Sequence, residues 1–204
     1  MGNLVRIFLI VEDIAHEKIF RALIRRIARD ERIKYTITTS IKAGGSGKVT
    51  IEIKGFQKVL KRGLLPGGIP DLLIVMRDSN CEGFHKIKRE LEEIIDKDLF
   101  PLYVIGCPDP HAEKWFFADQ ESFYKLFGFI PGISLSECRQ DYYKNALKDA
   151  IKKAGWPSTQ GGIEYAEDVF SLMDFSNIAK NDDSLITFIN DIRASFKQMK
   201  VRNT

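Results

Sequence analysis

The amino-acid sequence predicts an α/β protein: a mainly parallel sheet of about four strands, flanked by helices and followed by a C-terminal helical extension. Three observations predict it. Four short apolar or β-branched runs recur between residues 4 and 106. Segments of helical periodicity separate them, as parallel neighbours require, because joining such strands takes a crossover. Beyond Pro131-Gly132 the strand-like runs stop and only helical patterns continue. The expected organisation is an α/β domain over residues 1–130 with a helical extension, residues 131–204, packed on it.

Leu4–Val11 is a nearly continuous apolar run, the pattern of a strand buried on both faces of a parallel sheet. Ile14 to Asp30 follows as a helix of roughly five turns. Ile19, Phe20, Leu23, Ile24 and Ile27 form its buried face, with Arg21, Arg25 and Arg29 on another. Ile33–Ile41, rich in β-branched residues, reads as the second strand. After the break Gly44-Gly45-Ser46-Gly47-Lys48, Val49–Gly63 admits two readings. Val49, Ile51 and Ile53 alternate as in a strand, whereas Val49, Ile53, Phe56 and Leu60 fall at helical offsets. The need for a crossover selects the helix.

Leu72–Met76 is the third strand, Gly83–Lys97 an amphipathic helix, and Leu102–Gly106 the fourth strand. The aromatic segment Glu113–Phe127 reads as one further helix opening just after Pro110. Ser136–Ala154, Glu164–Met173 and Ser184–Met199 read as the helices of the extension.

Composition narrows the function classes. A formal net charge of +3 neither marks a nucleic-acid binder nor excludes one, since local stripes matter more than the sum. The three cysteines, Cys81, Cys107 and Cys138, are far apart and form no CxxC pair. The expectation is therefore no disulfide framework, no zinc knuckle and a reducing, cytoplasmic setting. Leu4–Val11 is too short for a signal peptide or a membrane span, so no membrane association is expected.

The chemistry gathers where strands end. In open α/β sheets, ligands bind beyond the carboxyl ends of the strands. Here those ends carry Glu12-Asp13, Ser40, Asp78-Ser79-Asn80 and Asp109. Carboxylates and carboxamides are suitable ligands for Mg²⁺ or Mn²⁺. Turn formation and helix capping explain any single one of these residues better than function does. Glu12 fits the capping explanation worst, because Glu is not a favoured N-cap.

A Glu directly after the first strand and an acidic motif after the third, in this β/α order, resemble the TOPRIM domain of topoisomerases, primases and OLD-type nucleases. The segments Asp78-Ser79-Asn80-Cys81-Glu82-Gly83 and Asp109-Pro110-His111-Ala112-Glu113-Lys114-Trp115 are similar to those of small TOPRIM-like proteins of bacterial defence and mobile-element loci. The resemblance covers roughly residues 4–120. It implies metal-dependent phosphodiester hydrolysis, with Glu12 and Asp78 as catalytic residues and metal ligands. Asn80 stands where the family's second motif carboxylate belongs and is carried over as a metal ligand. Glu113 is the plausible third catalytic acid, with Asp109 competing for that place.

Arg77 and Lys114, beside the motif residues, are candidate phosphate contacts. Lys144, Lys148 and Lys152 form a stripe on one helix face, either a solvated face or a track for DNA or RNA. Gly44–Lys48 lacks the P-loop pattern and reads as a flexible loop. His16 lies four residues after Glu12, and His111 flanks Asp109 and Glu113. The aromatic set Trp115, Phe116, Phe117, Phe123, Tyr124 and Phe127 fits a packed core better than a base-stacking surface. Two functions follow as expectations. One is an Mg²⁺- or Mn²⁺-dependent nuclease. The other is a non-catalytic partner of an ATPase-containing defence complex, with homodimerisation open in either case.

Overall fold

Strand β1 (Val5–Val11) occupies an interior position of a four-stranded, wholly parallel sheet of order β2-β1-β3-β4, where β2 is Tyr35–Lys42, β3 Leu72–Met76 and β4 Tyr103–Gly106. The computed structural model describes residues 4–65, 67–139 and 141–202. Helix α1 (Ile14–Asp30) links β1 to β2, α2 (Ser46–Lys61) links β2 to β3, and α3 (Phe84–Ile94) links β3 to β4. A 3-10 turn (Ala112–Phe117) follows β4. Then come α4 (Gln120–Phe127), α5 (Tyr142–Lys153), α6 (Ala166–Leu172), α7 (Phe175–Asn181) and α8 (Asp183–Arg202). Among the described residues no helix is long and apolar enough to cross a membrane.

The apolar runs are continuous because both sheet faces are covered. Ile7, Leu9 and Val11 of β1, with Leu72, Ile74 and Met76 of β3, belong to one core with α1, the 3-10 turn and helices α4 to α8. Phe8, Ile10, Leu73 and Val75 point to the other face, into a second core with α2 and α3. In α2 the buried residues are Val49, Ile53, Phe56 and Leu60, the helical set, while Ile51 is exposed. Strand β2, at one edge, is only half-buried, which matches its threonine-rich composition.

The extension completes the first core. In α8, Leu185, Phe188, Ile189, Ile192, Phe196 and Met199 are buried at three- and four-residue intervals. Gly106, the last residue of β4, admits the Phe188 ring, since a Cβ there would lie 3.0 Å from two ring carbons. Of the aromatic set, Trp115, Phe116, Phe117, Phe123 and Phe127 are core residues and Tyr124 is exposed.

The structure corrects several boundaries. The single aromatic helix expected over Glu113–Phe127 is a 3-10 turn and an α-helix, separated at Ala118-Asp119. Asp119 causes the break: its buried carboxylate accepts from Ser122 Oγ, from the Asp174 N–H at 2.8 Å and from Asn177 Nδ2 at 3.3 Å. Those bonds hold its carboxylate to the Ser122 hydroxyl and to the segment around Asp174 and Asn177, so Asp119 stands ahead of α4 without a side-chain cap bond. The helix expected from Ser136 begins only at Tyr142. Helix α7, opened by the Asp174 cap, was not expected at all.

The expectation of unpaired cysteines is also corrected. Cys81 and Cys138 form a disulfide, with Cα atoms 5.8 Å apart, although 57 positions separate them in sequence. The loop after β3 and the segment after α4 meet in space, which spacing alone does not reveal. Cys107 is free and buried.

Candidate acidic metal centre

The strand order creates the site. From β1 the chain moves to one side of the sheet, through α1, and later crosses back over β1 to reach β3. Neighbouring strands β1 and β3 therefore send their following helices to opposite faces, α1 into one core and α3 into the other. That is a topological switch point, where such sheets open a crevice. Register sets the rest. Val11 pairs with Met76, so Glu12 and Asp78 emerge side by side. The Glu12 N–H donates to Met76 O at 3.0 Å, and the Asp78 N–H donates to Glu12 Oε2 at 3.1 Å.

Asp13 caps α1: its Oδ1 accepts from the N–H groups of Ala15 at 2.9 Å and His16 at 3.2 Å. The cap starts the helix so that His16 points inward, 1% exposed. Its Nδ1 lies 2.8 Å from Asp13 Oδ1 and its Nε2 2.9 Å from Asp78 Oδ1. His111 Nδ1 reaches the other Asp78 oxygen, Oδ2, at 3.3 Å. The result is a continuous line Asp13–His16–Asp78–His111.

Charge follows from this geometry. Burial would push His16 towards neutrality, but the charges and hydrogen bonds of Asp78 and Asp13 outweigh it and raise His16 well above its ordinary value. His16 is then an imidazolium donating to both carboxylates. Burial likewise opposes ionisation of Asp78 and Asp13. The two histidines nevertheless lower Asp78, and His16 holds Asp13 at about 2. His111 is raised, first by its hydrogen bond to Asp78. Glu12 and Glu113 behave oppositely. Burial raises both, and the charge of Asp78 raises them further. The site thus holds two firmly ionised carboxylates, Asp78 and Asp13, beside two carboxyls with raised proton affinity, Glu12 and Glu113.

Glu12, His16 and Asp78 each offer one ligand atom, all within 4.8 Å of one another. The two carboxylates fit a divalent cation as they stand; His16 fits one only after its Nε2 proton is displaced. Each carboxylate oxygen has two lone pairs, so the imidazole contacts leave Asp78 further acceptor capacity. His16 is the member that the strand-end pattern did not supply; its four-residue spacing from Glu12 was the available signal.

The other sequence candidates are placed as follows. Glu113, on the 3-10 turn, lies within electrostatic reach of Asp78 and His16. Asp109 is turned to structural work, accepting from Ser79 Oγ and from the Phe84 N–H at 3.3 Å. Asn80 serves the turn: its φ is +49°, and its side-chain nitrogen lies 3.5 Å from the Asp78 carbonyl oxygen. Lys114 is tethered, with Nζ donating to Asp109 O at 2.8 Å and facing Asp182 Oδ2 at 3.2 Å. Arg77 is mostly covered, with Nη1 3.9 Å from Glu90 Oε2. Lys144, Lys148 and Lys152 are all exposed on α5, the helix that packs beside the 3-10 turn carrying Glu113.

Comparison of the chain with protein-family models, with curated proteins and with solved structures finds no match.

Proposed function

We propose that the chain is a metal-dependent phosphodiester hydrolase acting on DNA or RNA, a TOPRIM-like nuclease serving defence against phage or mobile elements. The observation that carries this reading is the convergence of Glu12, His16 and Asp78 at the switch point, with Glu113 beside them. A divalent cation bound there would neutralise charge developing on the phosphoryl oxygens. Glu12 and Asp78 would hold it as oxygen donors, and His16 would join them only on losing its Nε2 proton, since an imidazolium has no lone pair to offer.

The chain's own groups supply the remaining steps. Asp78, ionised through its histidine contacts, stays an oxygen donor across the neutral range. Glu113, with raised proton affinity, suits proton transfer to the leaving oxygen or from the attacking water, and Glu12 would take that role only where it does not ligate the metal. The exposed Lys144, Lys148 and Lys152 would track a phosphate backbone, with salt-dependent affinity.

The test is cleavage of labelled DNA and RNA with Mn²⁺ or Mg²⁺. Glu12→Ala and Asp78→Ala should each abolish it while circular dichroism stays native. Undiminished cleavage by both variants would refute the reading.

One observation favours a second reading, a non-catalytic partner subunit of an ATPase-containing complex. A charged His16 already pairs with both Asp78 and Asp13, and His111 also faces Asp78, so these carboxylates have cationic partners without a metal. Calorimetry discriminates: no heat of Mn²⁺ binding, together with no cleavage, supports the partner role.

A further inference from the structure

The Cys81–Cys138 disulfide has a particular position. Cys81 lies three residues past Asp78, in the loop that leaves β3 for α3. That loop is fixed on its other side, where the Ser79 N–H donates to Pro108 O at 2.9 Å and the Asn80 N–H to Pro110 O at 3.1 Å. Cys138 lies near the end of segment 128–139, which follows α4 and contains no helix or strand. Phe129, Ile133 and Leu135 of the segment pack, half-buried, against the first core, and hydrogen bonds to α5 hold it as well. The Ser134 N–H donates to Tyr142 Oη at 3.0 Å, the Glu137 N–H to Tyr143 Oη at 3.1 Å, and Tyr143 Oη donates to Ser134 O at 3.0 Å. Just beyond it, α5 packs beside the 3-10 turn that carries Glu113, so this part of the chain runs alongside the acidic site.

Both cysteines of the pair are exposed, so a reductant reaches them. Cys107 differs. It is buried, and burial pushes its thiol up to about 12, which keeps it protonated and unable to attack the bridge. The chain therefore holds one exchangeable disulfide and no competing internal thiolate.

We propose that Cys81–Cys138 is a redox-operated clasp: oxidised, it ties segment 128–139 against the loop that carries Asp78; reduced, it releases that segment from the rim of the site. The opening step is thiol–disulfide exchange with a dithiol reductant. One thiolate of the reductant attacks a cysteine sulfur, the S–S bond breaks, and the second thiol resolves the mixed disulfide. Two electrons and two protons pass to the chain, leaving two cysteine thiols, and the reductant leaves as its own disulfide. The rigid side of the clasp is the β3 loop, and the mobile side is segment 128–139.

Alkylation and hydrogen exchange test this without reference to catalysis, so a failure of the nuclease reading would not disturb the outcome. After mild oxidation, denaturation and alkylation in the absence of reductant should label one cysteine, Cys107; prior treatment with dithiothreitol should raise the count to three. Amide protection at Ser134 and Glu137 should fall at least tenfold on reduction, with amides of β1 and β3 unchanged. Cys81→Ser and Cys138→Ser should show the low protection with or without dithiothreitol. Three labelled cysteines in the oxidised protein, or equal protection in both redox states, would overturn the proposal.

Discussion

Removing either partner of the His16–Asp78 pair should destabilise the protein far more than removing both would suggest. The contact is 2.9 Å, and the two side chains are 2% and 13% exposed, so little water is present to take over a lost partner. Stranding one member of a buried pair costs about 3–5 kcal/mol. Each residue keeps a second contact, His16 to Asp13 at 2.8 Å and Asp78 to His111 at 3.3 Å. The lower end, about 3 kcal/mol for each of His16→Ala and Asp78→Ala, is therefore expected. The double variant strands neither charge, so the coupling should be about 1.5–3 kcal/mol.

Urea unfolding of the four proteins at pH 6 with chelator present, followed by circular dichroism, measures it. The pH dependence carries its own sign. His16 is raised, so its contribution is complete below the unfolded value near 6.5 and is lost as pH rises through the folded value. Asp78 is lowered, so its contribution is complete above the unfolded value near 3.9 and is lost as pH falls through the folded one. Coupling should thus be flat between about pH 4 and 6.5 and shrink on either side. Single-variant losses that add to within about 0.5 kcal/mol would refute the account of a buried charged pair.

Three further outcomes are expected. Gly162→Ala should cost about 1–3 kcal/mol in thermal or urea unfolding, because φ is +97° and a Cβ would lie 2.8 Å from both Leu147 and Ile151. Reduction of Cys81–Cys138 should lower stability by up to about 4 kcal/mol, the chain-entropy value for a bridge spanning 57 positions, seen as a lower urea midpoint with dithiothreitol. Replacing Lys144, Lys148 and Lys152 together by Gln should leave the melting temperature within about 2 °C, since all three are exposed. The same triple variant should weaken oligonucleotide binding in fluorescence anisotropy and reduce the salt slope by up to about 3.

How far the sequence speaks depends on how local each signal is. The α1 limits, Ile14 and Asp30, agree with the sequence reading, because a cap, an apolar stripe and a long uninterrupted period all lie within the segment. The limits of β3 agree for a similar reason: five apolar residues stand between clear breaks. The choice of helix for α2 came from topology rather than from its own residues, whose pattern was divided. The division in the aromatic segment was hidden because the groups that hold the Asp119 carboxylate include Asp174 and Asn177, more than fifty positions away.

The site follows the same rule. Glu12 and Asp78 were visible as strand ends, and the parallel register then forces them together. His16 was signalled only by its four-residue spacing from Glu12, because its bond to Asp78 spans 62 positions. Asn80 and Lys114 illustrate the converse. Each has a residue type suited to binding, and each is used locally, one in a left-handed turn and the other in an internal tether.

The dependence of the first core on α8 has a consequence for how the chain comes into being. Translation delivers β1, α1 and β3 well before Leu185, Phe188, Ile192 and Phe196 leave the ribosome. Until then one apolar face of the sheet lacks part of its cover, while the α2–α3 face can already close. A nascent chain stalled before residue 183 should therefore be the species that chaperones bind most avidly and that aggregates most readily. Maturation of the acidic site is limited less by the strands that carry its residues than by α8, which is synthesised well after them.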